Sequence, residues 1–113
     1  MSWRAHGMRT WIMQRLTAVY MLLYLAGFTY MVACRLPLEY ANWRGLFAQP
    51  VVNVATSLFF YAILYHAWVG IRDILIDYVH WSPLRYLLWA LITLALLGMG
   101  IWVTMILYSV VEI

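Results

Sequence analysis

Three long stretches without a charged residue place the strongest limit on how this 113-residue chain folds. They contain 19, 27 and 26 residues, and a helix needs about 20 apolar residues to cross the hydrocarbon core of a bilayer. The stretches are continuous, whereas a membrane β-barrel shows short segments of alternating polarity. The sequence therefore predicts an all-α membrane protein with three transmembrane helices. The uncharged stretches are 16–34, 45–71 and 86–111, and the predicted helices are 11–35, 50–79 and 83–111.

The composition excludes the common classes of soluble protein. Hydrophobic residues make up 67% of the chain and charged residues 10%, against about 25% charged in an average globular protein. Such a short chain cannot bury that much apolar surface in one core, so lipid must cover part of it. Cys34 is the only cysteine, which excludes a disulfide scaffold. The seven basic residues are scattered, which does not fit a nucleic-acid surface. We expect one anchor domain over residues 1–113.

The arginines predict the orientation of the chain in the membrane. Three crossings place the two termini on opposite sides. With the N-terminus in the cytoplasm, only Arg35 and Arg44 lie outside, which agrees with the excess of positive charge normally found inside. The five arginines then expected at the cytoplasmic face are Arg4, Arg9, Arg15, Arg72 and Arg85.

The second predicted helix carries nearly all the ionisable side chains that lie in or next to the spans. At 100° per residue, His66, Asp73 and Asp77 fall on one face of this helix. Arg72 falls on a different side, so we do not expect it to pair with the two acids. The other residues on the face of His66 are Ala55, Phe59, Ala62 and Gly70.

His66 has two interpretations on the residues alone. It precedes Asp77 by a rise of about 16 Å, which places it near the middle of the bilayer if Asp77 is at the headgroups. A neutral His offers a ring nitrogen as a metal ligand, and Gly70, one turn away, would let a flat group such as haem approach the backbone. Alternatively, His66 forms an interhelical hydrogen bond and Gly70 is part of a packing surface. The residues alone favour this second interpretation.

Three further side chains also have two interpretations each. Tyr78 is able to donate a hydrogen bond to a carbonyl at headgroup level, or it belongs to the aromatic belt. Arg15, expected at the cytoplasmic boundary, is able to neutralise a carboxylate or to reach lipid phosphate. Asp77, one turn after Asp73, pairs with a partner cation or is a solvated interfacial acid. Three functional classes follow: a redox anchor, a haem-free structural anchor, and a small proton-conducting or transport subunit.

Three ordered pieces of the sequence resemble a known family. They are Arg-Leu-Thr-Ala at 15–18, His-Ala-Trp-Val-Gly at 66–70 and Asp-Tyr at 77–78. With the three-helix layout, they resemble the small hydrophobic membrane-anchor subunit of succinate dehydrogenase, respiratory complex II, of the bacterial type with two anchor subunits and one haem b. Enterobacterial members have a His a few residues before the arginine. This sequence has none there, so no role is assigned to His6.

The resemblance implies a role for each matching residue. His66 would be one axial ligand of the haem b iron, and the second ligand would come from the other anchor subunit. Arg15 would approach a haem propionate, Tyr78 would bond a ubiquinone carbonyl, and Asp77 would deliver protons beside the quinone. The implied partners are a second anchor subunit, an iron–sulfur subunit and a flavoprotein subunit at the bacterial inner membrane. The chain itself would be a non-catalytic subunit in the path of electrons from succinate to quinone.

Overall fold

Four helices make up the computed structural model, which describes the backbone of residues 3–113 and the side chains from residue 7 onward. They are α1 (Trp3–Ala33), α2 (Tyr40–Ala48), α3 (Pro50–Tyr78) and α4 (Ser82–Val110), and this described part contains no strand. Three segments are long and apolar enough to cross a membrane, which confirms the predicted all-α fold with three spans. These segments are Gly7–Ala33, Pro50–Tyr78 and Ser82–Val110.

The observed helix ends differ from the predicted ones at places where the prediction used charged residues to mark the end of a helix. α1 begins at Trp3 instead of residue 11, because the polar residues before the apolar stretch are helical as well. The short helix α2 was not predicted, since Glu39 and Arg44 interrupt the apolar pattern there. Pro50 occupies the first turn of α3, where its missing N–H costs no hydrogen bond. The side chains of Arg4 and His6 lie outside the described residues.

The central helix of the fold is α3. α1 packs on one side of it and α4 on the other, while α2 packs across one end of α3 and α4. Within residues 3–113, α1 and α4 do not pack against each other. α3 therefore positions every other helix of the chain. The buried hydrophobic side chains are Leu46, Ala48, Val69, Leu75 and Leu107.

Asn53 joins three helices at the α2 end of the fold. Its side-chain amide donates hydrogen bonds of 2.8 Å to the carbonyl oxygens of Phe47 and Leu107. A buried amide without partners would be costly, and these two bonds satisfy both of its N–H groups. The backbone N–H of Glu112 donates to the carbonyl of Ala48, which ties the residue after α4 to α2 as well. This end of the fold is thereby closed by polar contacts.

The outward faces of α1 and α4 are rows of exposed apolar side chains. Leu22 and Leu23 of α1 and Leu94 and Trp102 of α4 are all exposed. Soluble monomers rarely expose continuous apolar surface of this extent. Lipid or other protein chains must cover these faces, in agreement with a multi-pass membrane protein.

Candidate functional site

The candidate site is built around His66, which α3 presents to α1. The imidazole is half-buried, and its Nδ1 lies 3.1 Å from the hydroxyl oxygen of Thr17. The same hydroxyl lies 2.8 Å from the carbonyl oxygen of Met13, four residues earlier in α1. His66 is therefore held by a side chain that is itself anchored to the backbone of its own helix.

Two tyrosines fix the register between α1 and α3. The Tyr20 hydroxyl donates a 2.6 Å hydrogen bond to the carbonyl oxygen of Ala55. The hydroxyls of Tyr24 and Thr56 are 2.7 Å apart, and Thr56 in turn donates to its own helix, so Tyr24 is the donor between them. The Tyr24 ring also stacks on Phe59 with a centroid distance of 4.3 Å. The small-residue face predicted around His66 is thus the surface that α1 covers.

Trp68 anchors the opposite side of α3, two residues after His66. Its indole N–H donates a 2.9 Å hydrogen bond to the Thr93 hydroxyl of α4, and its ring stacks on Trp89 at 4.7 Å. The segment that carries His66 is therefore bonded to a neighbouring helix on each side. An apolar groove of about 570 Å³ runs along this α3–α4 side, away from the α1 side where His66 bonds Thr17.

Gly70 leaves open space beside the candidate ligand. A methyl group built at its Cα would meet no atom within 4 Å among the described residues. Gly70 lies one turn after His66, on the same face of α3. The backbone at Gly70 is therefore uncovered by the described side chains.

His66 has no cluster of other metal-binding side chains around it among the described residues. Within the part of the chain that the structure describes, no three His, Cys, Asp or Glu side chains are grouped closely enough to hold a metal ion. A metal bound at His66 would need further ligands from a porphyrin ring and from another subunit.

Arg15 lies on α1 close to the residue that bonds His66. It precedes Thr17 by two residues, so it is only about 3 Å along the helix axis from the residue that bonds His66. Arg15 is exposed and lies within Gly7–Ala33, a segment long and apolar enough to cross a membrane. The guanidinium is 5.2 Å from the Trp11 ring centroid.

One ion pair at the polar end of α3 differs from the prediction. Arg72 Nη2 lies 3.2 Å from Asp73 Oδ1, although the sequence predicted no pairing of Arg72 with the acids of its helix. Adjacent residues lie about 100° apart around a helix, but the long arginine side chain curves back far enough to reach its neighbour. Both side chains are well exposed, so the pair adds little stability.

Asp77 and Tyr78 are both exposed at the end of α3. Neither forms a side-chain hydrogen bond or ion pair with the residues that the structure describes. They are therefore available to groups outside this chain. The structure brings His66 together with α1 but does not bring Arg15, Asp77 and Tyr78 into direct contact with one another.

Two site features escaped the sequence reasoning. The contact between Thr17 and His66 depends on the register of α1 against α3. The two residues are 49 positions apart in sequence, so no local pattern reveals the contact. The side-chain oxygen of Gln14 is buried and has no hydrogen-bond partner among the described atoms. Gln14 precedes Thr17 by one turn of α1, so the same stretch of helix holds both a paired and an unpaired acceptor. The sequence signal for these two features was a polar residue within the apolar stretch, at Thr17, or just before it, at Gln14.

Comparison with known proteins identifies a matching family and a similar relative. The family model described as "Succinate dehydrogenase/Fumarate reductase transmembrane subunit" matches residues 1–101. The succinate dehydrogenase hydrophobic membrane anchor subunit of Coxiella burnetii is 33% identical over 96 residues, which cover 85% of this chain and 84% of that protein.

Proposed function

Because the chain belongs to the family of succinate dehydrogenase and fumarate reductase transmembrane subunits, we propose that it completes a haem b and a ubiquinone site in a succinate:ubiquinone oxidoreductase. It would anchor the flavoprotein and iron–sulfur subunits to the bacterial inner membrane together with a second anchor subunit. Its N-terminus would face the cytoplasm. The observation that carries the proposal is the His66–Thr17 hydrogen bond, which engages one ring nitrogen of a membrane-embedded His and leaves the other for iron.

The residues around His66 fit a haem. The ring is oriented through Nδ1, which is how iron-binding histidines are commonly held by a neighbouring acceptor. The open surface at Gly70 would accommodate an edge of the porphyrin. His66 would supply one axial ligand, and a His of the second anchor subunit would supply the other. When bound, the haem supplies a one-electron store whose potential its ligands and surroundings set.

Arg15 would hold a haem propionate. It lies two residues before Thr17, the residue that bonds His66, and its side chain is exposed. A carboxylate is the natural partner, because a guanidinium is able to bond both of its oxygens at once. The alternative partner is lipid phosphate, which Arg15 would have to reach by extending its side chain toward the headgroups.

Asp77 and Tyr78 would contribute to ubiquinone reduction. The phenol of Tyr78 would donate a hydrogen bond to a quinone carbonyl and hold the ring at headgroup level. Reduction of a quinone to a quinol takes up two electrons and two protons. The exposed carboxyl of Asp77, next to Tyr78 in sequence, would pass protons from cytoplasmic water. The remaining walls of the pocket would come from the partner subunits.

A haem-free structural anchor is the alternative, and the same hydrogen bond supports it. An interhelical bond between His66 and Thr17 is what a packing histidine would form in lipid. A proton-conducting subunit would use His66, Asp73 and Asp77 as a proton relay. It is less well supported, because Asp73 is paired with Arg72. Bound haem separates the first function from both others.

The test is a reduced-minus-oxidised visible spectrum of the complex purified from native membranes in mild detergent. We expect a b-type haem signal that co-purifies with flavin and iron–sulfur subunits. The His66→Ala variant should lose that signal while the subunits remain assembled, and His80→Ala, which changes an exposed His between α3 and α4, should retain it. A fully assembled wild-type complex without haem would favour the structural anchor, and an unchanged haem spectrum in His66→Ala would overturn the assignment of His66 as a ligand.

A further inference from the structure

The hydroxyl oxygen of Thr17 is within hydrogen-bond distance of three polar atoms. They are the carbonyl oxygens of Met13 at 2.8 Å and Gln14 at 3.0 Å, and His66 Nδ1 at 3.1 Å. The hydroxyl has one hydrogen, whereas a carbonyl oxygen only accepts. The two carbonyls therefore compete for that single hydrogen. In the third contact, the Thr17 oxygen must accept a hydrogen bond from His66 Nδ1–H.

Counting donors assigns the proton on the His66 ring. If Thr17 donates to its own helix, the Met13 and Gln14 carbonyls share the hydroxyl hydrogen, and the His66 Nδ1–H donates to the Thr17 oxygen. If Thr17 instead donated to Nδ1, its oxygen would face the Met13 carbonyl oxygen at 2.8 Å with no hydrogen between them. Two acceptors in such contact repel each other. The first arrangement leaves Nε2 unprotonated, with its lone pair directed away from the bonded side of the ring.

We propose that Thr17 is a positioning residue that fixes the Nδ1–H tautomer of His66 and thereby sets both haem affinity and haem potential. This inference rests on the proposed role of His66 as a haem ligand. Thr17 would not touch the iron or the porphyrin. It would act through the imidazole, because an acceptor on Nδ1–H makes Nε2 a stronger electron donor to the metal.

The expected effect on the potential has a definite sign. Greater electron donation from the ligand stabilises ferric iron more than ferrous iron, so the hydrogen bond holds the midpoint potential down. Loss of the Thr17 hydroxyl should shift the midpoint to a more positive value. Loss of such an outer-shell partner also lowers metal affinity by about 10- to 100-fold in known metal sites.

The helix pair does not depend on Thr17 for its alignment. Tyr20 and Tyr24 bond α3 one and two turns further along α1, and both bonds remain when the Thr17 hydroxyl is removed. A change confined to Thr17 therefore tests the ligand orientation and not the packing of α1 against α3.

The experiment compares three variants in the assembled complex by potentiometric titration of the haem and by haem content per complex. Thr17→Val keeps the side-chain shape and removes the hydroxyl, and we expect a more positive midpoint and about tenfold weaker haem retention. Thr17→Ser keeps the hydroxyl and should restore both values. Thr29→Val makes the same chemical change at an exposed position of α1 and should alter neither. Thr17→Ala replaces the valine variant if that one does not assemble.

The outcomes of the experiment separate the role of Thr17 from the role of His66 and from the proposed function. A wild-type midpoint and wild-type haem content in Thr17→Val, with haem absent from His66→Ala, would overturn the role of Thr17 and keep His66 as the ligand. A shift that Thr17→Ser does not reverse would also overturn it, because the hydroxyl would not be the cause. A wild-type complex without haem would overturn the proposed function itself, and the role of Thr17 with it.

Discussion

Arg72 Nη2 lies 3.2 Å from Asp73 Oδ1, and this ion pair distinguishes the two acidic residues at the polar end of α3. Asp77, one turn later, has no cationic partner among the described residues. The negative charge of Asp73 is thus compensated within the chain, whereas that of Asp77 remains available to a substrate or partner.

Asp77→Asn should slow succinate-dependent ubiquinone reduction by about tenfold or more, because it removes a proton donor and leaves the shape unchanged. Asp73→Asn is the matched control on the same face of the same helix. It removes one member of an exposed ion pair worth at most about 1 kcal/mol, and the rate should stay within about twofold of wild type. Steady-state rates of the purified complex decide between these outcomes. Equal rates for both variants would remove Asp77 from proton delivery.

Tyr78→Phe should raise the KM for ubiquinone several-fold while the haem spectrum stays the same. The reason is the loss of one hydrogen bond to the quinone carbonyl, worth about 1 kcal/mol. Tyr86→Phe is a suitable control, since Tyr86 is an exposed tyrosine near the start of α4 and would serve the aromatic belt equally well. If both variants behave alike, Tyr78 is a belt residue.

Arg15→Gln should shift the haem midpoint potential to a more negative value. A nearby positive charge favours the reduced, more negative haem, so its removal favours the oxidised form. This shift is opposite in sign to the one expected for Thr17→Val, although the two residues lie two positions apart. Arg35→Gln, which changes an arginine at the other end of α1, should leave the potential unchanged. An unchanged midpoint in Arg15→Gln would assign that side chain to lipid phosphate.

The spans were predictable because membrane crossing depends on the length of an apolar stretch, a property read directly from the sequence. The same criterion missed α2, whose nine residues include an arginine and lie only partly within the uncharged stretch 45–71. It also began α1 too late, since residues before the apolar stretch continue the helix without being apolar themselves.

The candidate site was predictable only along one helix at a time. The shared face of His66 and Gly70 follows from the helical period, which needs no knowledge of neighbouring helices. The pairing of His66 with Thr17 depends on the register between α1 and α3, which the hydrogen bonds of Tyr20 and Tyr24 set. The Arg72–Asp73 pair depends on side-chain rotamers, which a projection of Cα positions around a helix does not contain.

The attachment of α3 to a different helix on each side has a consequence for electron transfer. His66 is tied to Thr17 of α1, and two residues later Trp68 is tied to Thr93 and Trp89 of α4. A redox centre exchanges electrons quickly when its ligands barely shift as its charge changes. A histidine carried on a segment restrained from both flanks would give the proposed haem a small reorganisation energy.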